Sequence, residues 1–381
     1  MLLHFYALGL ILLASLPAIM MVQNLPLFRR LAHRDERSEP AEASFVSVLI
    51  PARDEELSIA ECLRCVLACP SYPWLRLEVI VMDDGSVDST RAICESFTAR
   101  DDRVRLLSGQ TLPPGWNGKQ HACWRLAESA QGDWLLFIDA DVRLAQRAIP
   151  SLVNAATSQR LDLLSGFPKQ ITETFMERLL IPLMHFILLG YLPIARMRAS
   201  TGPEFAAGCG QLFLARRSAY MACEGHKAIA KSRHDGIKLP RVFRQHGSRT
   251  DIFDASNMAT CRMYHNAGEV IRGLMKNATE GIGSPRTIVP FTILLAGSAV
   301  LPVVSLVVGA ISGWQSWIIV ELVIAVMLSY APRLLAAYHF EQSWIGAALH
   351  PLSVGAFLAI QWLALFAQWC GMQTRWRGRT S

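Results

Sequence analysis

Two carboxylates one residue apart, Asp139 and Asp141, follow the apolar run that ends at Phe137-Ile138. Alternate side chains of an extended segment share a face, so this pair can reach one divalent cation held against a diphosphate. That is the chemistry of a nucleotide-sugar donor, although an Asp-x-Asp tripeptide also serves as an ordinary strand or turn cap. Two more apolar runs end in the same manner. Val46 to Ile50 leads into Pro51-Ala52-Arg53-Asp54-Glu55, and Val79 to Met82 leads into Asp83-Asp84-Gly85-Ser86. Read as buried strands opening into polar loops, the three bring their acidic ends to one edge of a sheet. Open α/β sheets bind ligands at that edge, so one shared site is expected.

The chain has 381 residues, 52% of them hydrophobic, and a formal charge of +6. Its mean hydropathy of +0.27 is too apolar for an ordinary soluble enzyme, and its length suits one catalytic domain plus membrane segments. Leu2 to Val22 is nearly uncharged and is followed by Arg29, Arg30, Arg34 and Arg37. Ile288 to Ala310, Trp317 to Ala331 and Ile345 to Cys370 are further apolar runs. The expected organisation is an N-terminal membrane anchor at 1–22, a basic juxtamembrane linker at 23–43, a catalytic domain at 44–286, a C-terminal transmembrane region at 287–371 and a basic tail at 372–381. The first run lacks a preceding basic region and a small-residue cleavage site, so it reads as a retained anchor rather than a signal peptide. Basic residues after it place the catalytic domain on the cytoplasmic side of a multi-pass inner-membrane protein.

Four crossings would then put Arg375, Arg377 and Arg379 outside, against the same rule. Either one run does not cross, Trp317 to Ala331 with its Glu321 being the shortest, or the tail breaks the rule. The stretch 179–194 contains Pro182, His185, Gly190 and Pro193 and reads as an interfacial or re-entrant helix, with a plain core helix as the alternative. The nine cysteines do not make a disulfide framework in a cytosol-facing domain. Cys62, Cys65 and Cys69 have metal-ligand spacing but share a helix with Ile59, Leu63 and Val66, and small buried residues is the preferred reading.

The segments Ser47 to Glu55, Asp83 to Thr90 and Asp139-Ala140-Asp141 resemble the three nucleotide-binding elements of glycosyltransferase family 2. The resemblance continues through Pro113 to Lys119, Ala207 to Gln211 and His234 to Leu239, covering about Phe45 to Lys276. With the apolar runs included, the chain looks most like the membrane-bound branch associated with hopanoid and carotenoid glycosylation. The resemblance implies an α/β fold of GT-A type, a Rossmann-like mixed sheet, with N-terminal and C-terminal transmembrane helices.

It also implies roles. Pro51, Ala52, Arg53 and Glu55 flank the nucleobase and ribose, and Asp84 binds one of them, a carboxylate being suited to accept from their N–H and O–H groups. Asp83 is read as a cap on the turn at Gly85. Asp139 and Asp141 serve the ribose and a Mg2+ or Mn2+ ion, with Asp141 the direct ligand. Lys119 is either a positive charge near the phosphates or acceptor, or a solvated loop charge. The loop with Gly208, Gly210 and Gln211 lines the acceptor side, glycine allowing a close backbone approach, or is a simple turn. Asp235 is the base that takes the acceptor proton, a role compatible with helix capping. Many relatives carry a second acid here, where this chain has His234-Asp235-Gly236. Arg262 or Lys276 holds the diphosphate or sits on anionic headgroups.

The expected function is inverting, metal-dependent transfer of one sugar from a UDP- or GDP-sugar to a lipid hydroxyl at the membrane, with no nucleic acid involved. A processive polysaccharide synthase is the alternative, and the absence of a Gln-x-x-Arg-Trp motif after the domain counts against it. A catalytically silent membrane scaffold is a third reading, disfavoured by the intact Asp84, Asp139, Asp141 and Asp235.

Overall fold

The computed structural model describes residues 1–31, 43–371, 375–376 and 379–380. Arg34 and Arg37 of the expected linker and Arg377 of the expected tail lie outside the described residues. The chain divides into two compact units. The first is built chiefly from Phe28–Ile171 and Arg196–Met263, the second from Met1–Leu27, Thr172–Ala195 and Tyr264–Gln373. The stretch 44–286 is therefore shared between them.

Between Phe28 and Met263 the first unit has these strands: β1 (Ser44–Ala52), β2 (Leu75–Asp83), β3 (Val104–Ser108), β4 (Trp134–Ile138), β5 (Val142–Leu144), β6 (Leu163–Phe167), β7 (Lys169–Gln170), β8 (Leu212–Arg216), β9 (Thr250–Asp254) and β10 (Ala259–Cys261). Seven form a mixed sheet in the order β3-β2-β1-β4-β8-β6-β9. It is parallel from β3 through β4, and β8 runs antiparallel to both of its neighbours. A small second sheet has the order β5-β10-β7.

The apolar run of β1 is explained by burial on both faces. Val46, Val48 and Ile50 share a core with Ile59, Leu63 and Val66 of the helix Ile59–Leu67. Leu49 points the other way, into a core with Ala122, Cys123 and Leu126 of the helix Gly118–Ser129 and with Leu239 and Phe243 of the helix Asp235–Gln245. A central parallel strand covered by helices has no solvent face and hence no polar alternation. Cys62 and Cys69 belong to the first core and Cys65 is half-buried. Because β1, β2 and β4 run parallel, their C-terminal ends meet at one edge and bring three acidic loops together.

The second unit is helical. Leu2–Asn24, Ile288–Ile311, Ser316–His339 and His350–Trp369 are long and apolar enough to cross a membrane. Their outward residues include Phe5, Leu12, Ile293, Val307, Met327 and Phe366, more exposed apolar surface than soluble proteins carry. The run Trp317 to Ala331 is no shorter than the others in the fold, since it lies within the 24-residue helix Ser316–His339. Glu321 there is not a bare charge but is paired with His4 Nδ1 at 2.7 Å.

Residues 179–194 are broken at Pro182 into Phe175–Leu180 and Leu183–Tyr191. A nine-residue helix spans only about 14 Å, roughly half of a bilayer core. Asn24 ties this piece to the first long helix. Its Nδ2 donates to the carbonyls of Leu189 (2.8 Å) and Leu192 (2.7 Å), and its Oδ1 accepts from Ile194 N–H (3.3 Å).

Candidate active site

The loops after β1 and β2 are stitched to each other. Asp54 N–H donates to Ser86 Oγ (3.0 Å), Val87 N–H to Asp54 Oδ1 (2.9 Å), Glu55 N–H to Thr90 Oγ1 (2.7 Å) and Ser89 N–H to Glu56 Oε2 (3.0 Å). Asp54 takes a left-handed φ of +53°, a conformation that persists in a non-glycine residue only when its surroundings impose it. Ala52 C=O accepts from Asp84 N–H at 2.9 Å, and Arg53 Nη1 donates to Asp84 C=O at 3.1 Å while standing 3.8 Å from its carboxylate. Pro51, Ala52, Arg53, Glu55 and Asp84 are thus gathered on one rigid double loop. Asp83 Oδ1 accepts from Ser86 N–H (3.0 Å), so its carboxylate caps the turn at Gly85.

Lys119 joins the two halves of the site. It sits in the first turn of the helix Gly118–Ser129, whose cap Asn117 accepts from Lys119 N–H through Oδ1 (3.1 Å). Its Nζ lies 2.7 Å from Asp139 Oδ1 and 3.0 Å from Asp235 Oδ2, and it also donates to Gly210 C=O (3.3 Å). In the structure Lys119 is a part-buried, ion-paired side chain in the first turn of a helix. Burial pulls the ammonium down, but the two carboxylates hold its pKa well above the ordinary value. Burial pushes the Asp235 carboxyl up, and the Lys119 charge outweighs it, leaving Asp235 ionised with a pKa of about 2.

Asp235 is the first residue of its helix and follows the cap residue His234. Its Oδ1 accepts from Gly236 N–H at 2.8 Å, satisfying one of the donors that a helix start leaves open. The glycines of this region serve protein packing. A Cβ on Gly210 would collide with the Asp235 carboxylate, and one on Gly236 would come within 2.8 Å of Gly208 C=O. This close approach leaves no room for a side chain at either position. Beside it, His226 N–H donates to the Tyr220 hydroxyl (3.2 Å), which in turn contacts His226 Nδ1 at 2.8 Å. Burial holds the His226 pKa down at about 3, so the ring is neutral near pH 7.

Asp141 stands between β4 and β5, inside a turn in which Val142 N–H donates to Asp139 C=O (3.0 Å). Its Oδ1 is buried without a hydrogen-bond partner. Burial raises its pKa to about 6, and the neighbouring Asp139 charge adds to that rise. A buried, repelled carboxylate with an unused oxygen is a fitting ligand for a divalent cation. Among the described residues no group of three or more His, Cys, Asp or Glu side chains is placed to hold a metal ion, so the residues that would hold one here are Asp141 and Asp139. Gln211 belongs to the wall of this pocket: its Nε2 lies 2.9 Å from Cys261 Sγ and its Oε1 accepts from Gln170 Nε2 at 2.8 Å.

Cys261, Tyr220 and His226 were not legible as site neighbours in the sequence, because they arrive from β10 and from the segment after β8. Arg262 follows β10 in the sheet unit, whereas Lys276 lies on the helix Ala267–Ala278 of the helical unit.

A parallel half-sheet ending in acidic loops, continued by antiparallel β8, is a mixed α/β sheet of GT-A type. Residues 47–223 match the family described as Glycosyl transferase family 2. A 4,4'-diaponeurosporenoate glycosyltransferase of Staphylococcus haemolyticus (strain JCSC1435) is 28% identical over 271 residues, 70% of each chain. Its counterpart from Staphylococcus aureus (strain MRSA252) is 26% identical over 259 residues, 66% of each. The structure of mannosyltransferase PcManGT from Pyrobaculum calidifontis, in complex with GDP-Man and Mn2+, shares the fold with a TM-score of 0.51 at 18% identity, over 96% of this chain and 95% of that one. The protein is a glycosyltransferase, similar over residues 47–223 to Glycosyl transferase family 2.

Proposed function

We propose that the protein transfers one sugar, with inversion, from a UDP- or GDP-sugar to the hydroxyl of a lipid at a membrane. The observation that carries this reading is the single ammonium of Lys119 lying between Asp139, on the donor side, and Asp235, the proposed base. Arg53 and Asp84 hold the nucleoside on the stitched double loop. Asp141 and Asp139 hold a Mg2+ or Mn2+ ion, which when bound neutralises charge on the departing diphosphate.

Asp235 is fully ionised at neutral pH but a weak base while Lys119 sits on it. An incoming diphosphate competes for that ammonium. Released from Lys119, the buried Asp235 carboxylate becomes more basic and takes the proton of the attacking hydroxyl on the face opposite the diphosphate. Base strength is thereby coupled to donor occupancy, which restrains wasteful chemistry without a donor. The lipid acceptor is supported by the four long apolar helices and by the relatives, whose name specifies a carotenoid-related acid as their acceptor. The basic residues after the first helix support a cytoplasmic sheet unit.

The test is donor consumption by detergent-purified protein across UDP- and GDP-sugars with total membrane lipid and Mn2+ or Mg2+. A glycolipid carrying one added sugar of inverted anomeric configuration, read by NMR, is the expected product. A polymer would overturn the single-transfer reading, and retained configuration would overturn the role of Asp235.

A further inference from the structure

Arg333 lies within the helix Ser316–His339, one of the four apolar enough to cross a membrane, and it is fully buried. Its Nη1 donates to Gln342 Oε1. Its Nε and Nη2 are buried with no hydrogen-bond partner, and among the described residues no carboxylate pairs with it. These two nitrogens form one edge of the planar guanidinium, the edge that grips a carboxylate or phosphate through two parallel hydrogen bonds. A guanidinium does not shed its proton, so burial leaves an uncompensated charge unless an anion meets it.

A second buried group has the same deficiency. His350 opens the helix His350–Trp369, is fully buried, and has no partner on either ring nitrogen. Its ring packs edge-on against Phe186 at 4.7 Å and against Tyr330 at 6.1 Å. Gln342, besides accepting from Arg333, contacts His185 Nδ1 through Nε2 at 3.1 Å. Gly346 leaves the chain bare 3.5 Å from Arg333 Nη2, measured from where a Cβ would stand. Ionisable side chains inside apolar helical bundles are costly and mark ligand sites.

We infer that Arg333, with His350 and Gln342 beside it, forms a site in the helical unit for the acidic group of an amphiphile, a carboxylate or a phosphate. An amphiphile fits because the surrounding helices are apolar, so the acid arrives attached to an apolar chain. The inference stands apart from the sugar-transfer reading, since it concerns binding in the helical unit alone.

The test uses the full-length protein, delipidated in a neutral detergent, and equilibrium binding of three probes of equal chain length: palmitate, hexadecyl phosphate and hexadecanol. Saturable binding of palmitate or hexadecyl phosphate is expected, with hexadecanol bound far more weakly. Preference for palmitate marks a carboxylate ligand, and preference for hexadecyl phosphate marks a phospholipid headgroup. Arg333→Gln is expected to weaken acid binding about ten-fold or more, and Arg333→Lys to restore only part of it, having charge without the fork. If Arg333→Gln does not fold, His350→Leu replaces it, with a smaller loss expected. Equal binding of alcohol and acids, no binding of either acid, or unchanged binding in a folded Arg333→Gln protein would overturn the inference.

Discussion

Lys119, Asp139 and Asp235, the three residues on which the proposed chemistry rests, have interdependent charges. Lys119 neutralises part of Asp139 and all that burial would do to Asp235. In the proposed mechanism Asp235→Asn keeps the shape and removes the base, so turnover is expected to fall about 10²–10⁴-fold, while donor binding, measured by calorimetry, is retained or tightened because Lys119 is no longer held by Asp235. Normal turnover in that variant would remove Asp235 from the mechanism. Asp141 behaves in the opposite sense. Its pKa is raised in the fold from 3.8 to about 6, so its contribution to stability is fully present below the unfolded value and is lost as pH rises through 6. Above that pH the metal-free protein is expected to lose on the order of 3 kcal/mol from this group. Mn2+ should therefore raise the melting temperature more at pH 7.5 than at pH 5. Asp141→Asn should raise the melting temperature of the metal-free protein at pH 7.5 and abolish the Mn2+ effect. An equal metal shift at both pH values would count against Asp141 as ligand.

At the scale of elements, the site is precise because short segments hold one another. The double loop of Arg53 to Glu56 and Asp84 to Thr90 is cross-linked by backbone-to-side-chain hydrogen bonds, and the loop at Gly208 to Gly210 packs directly on the start of the helix Asp235–Gln245. Gly210→Ala places a methyl group into the Asp235 carboxylate. A destabilisation of about 1–3 kcal/mol by thermal unfolding is expected, with a fall in kcat exceeding any change in donor affinity. A variant as active and as stable as the parent would show that this loop yields, and that the position of Asp235 does not depend on it.

For the molecule as a whole, the open question is orientation. Four long apolar helices place the two chain ends on one side of a membrane if all cross, and the proposed cytoplasmic sheet unit then puts the residues after His350–Trp369 outside. Cys370 is exposed and all other cysteines are buried or half-buried, so it is a natural reporter. With Cys65→Ser as background, a membrane-impermeant maleimide is expected to label Cys370 in intact cells. Labelling only after lysis would place Cys370 in the cytoplasm, so that either one of the four helices does not cross or the sheet unit is not cytoplasmic, and would overturn this topology.

The acidic ends of β1, β2 and β4 were legible in the sequence because each follows an uninterrupted apolar run, and parallel pairing of buried strands forces their ends to one edge. The long apolar helices were legible because hydropathy over about twenty residues is a local property. The sequence alone therefore carries the three acidic strand ends and the division into sheet and apolar helices. The meeting of Lys119, Asp139, Gly210 and Asp235 was decided only by tertiary structure, since four separate segments converge there and no spacing encodes it. The same holds for Glu321 with His4 and for the isolated fork of Arg333, where a charge in an apolar run acquires meaning only from the residues packed around it.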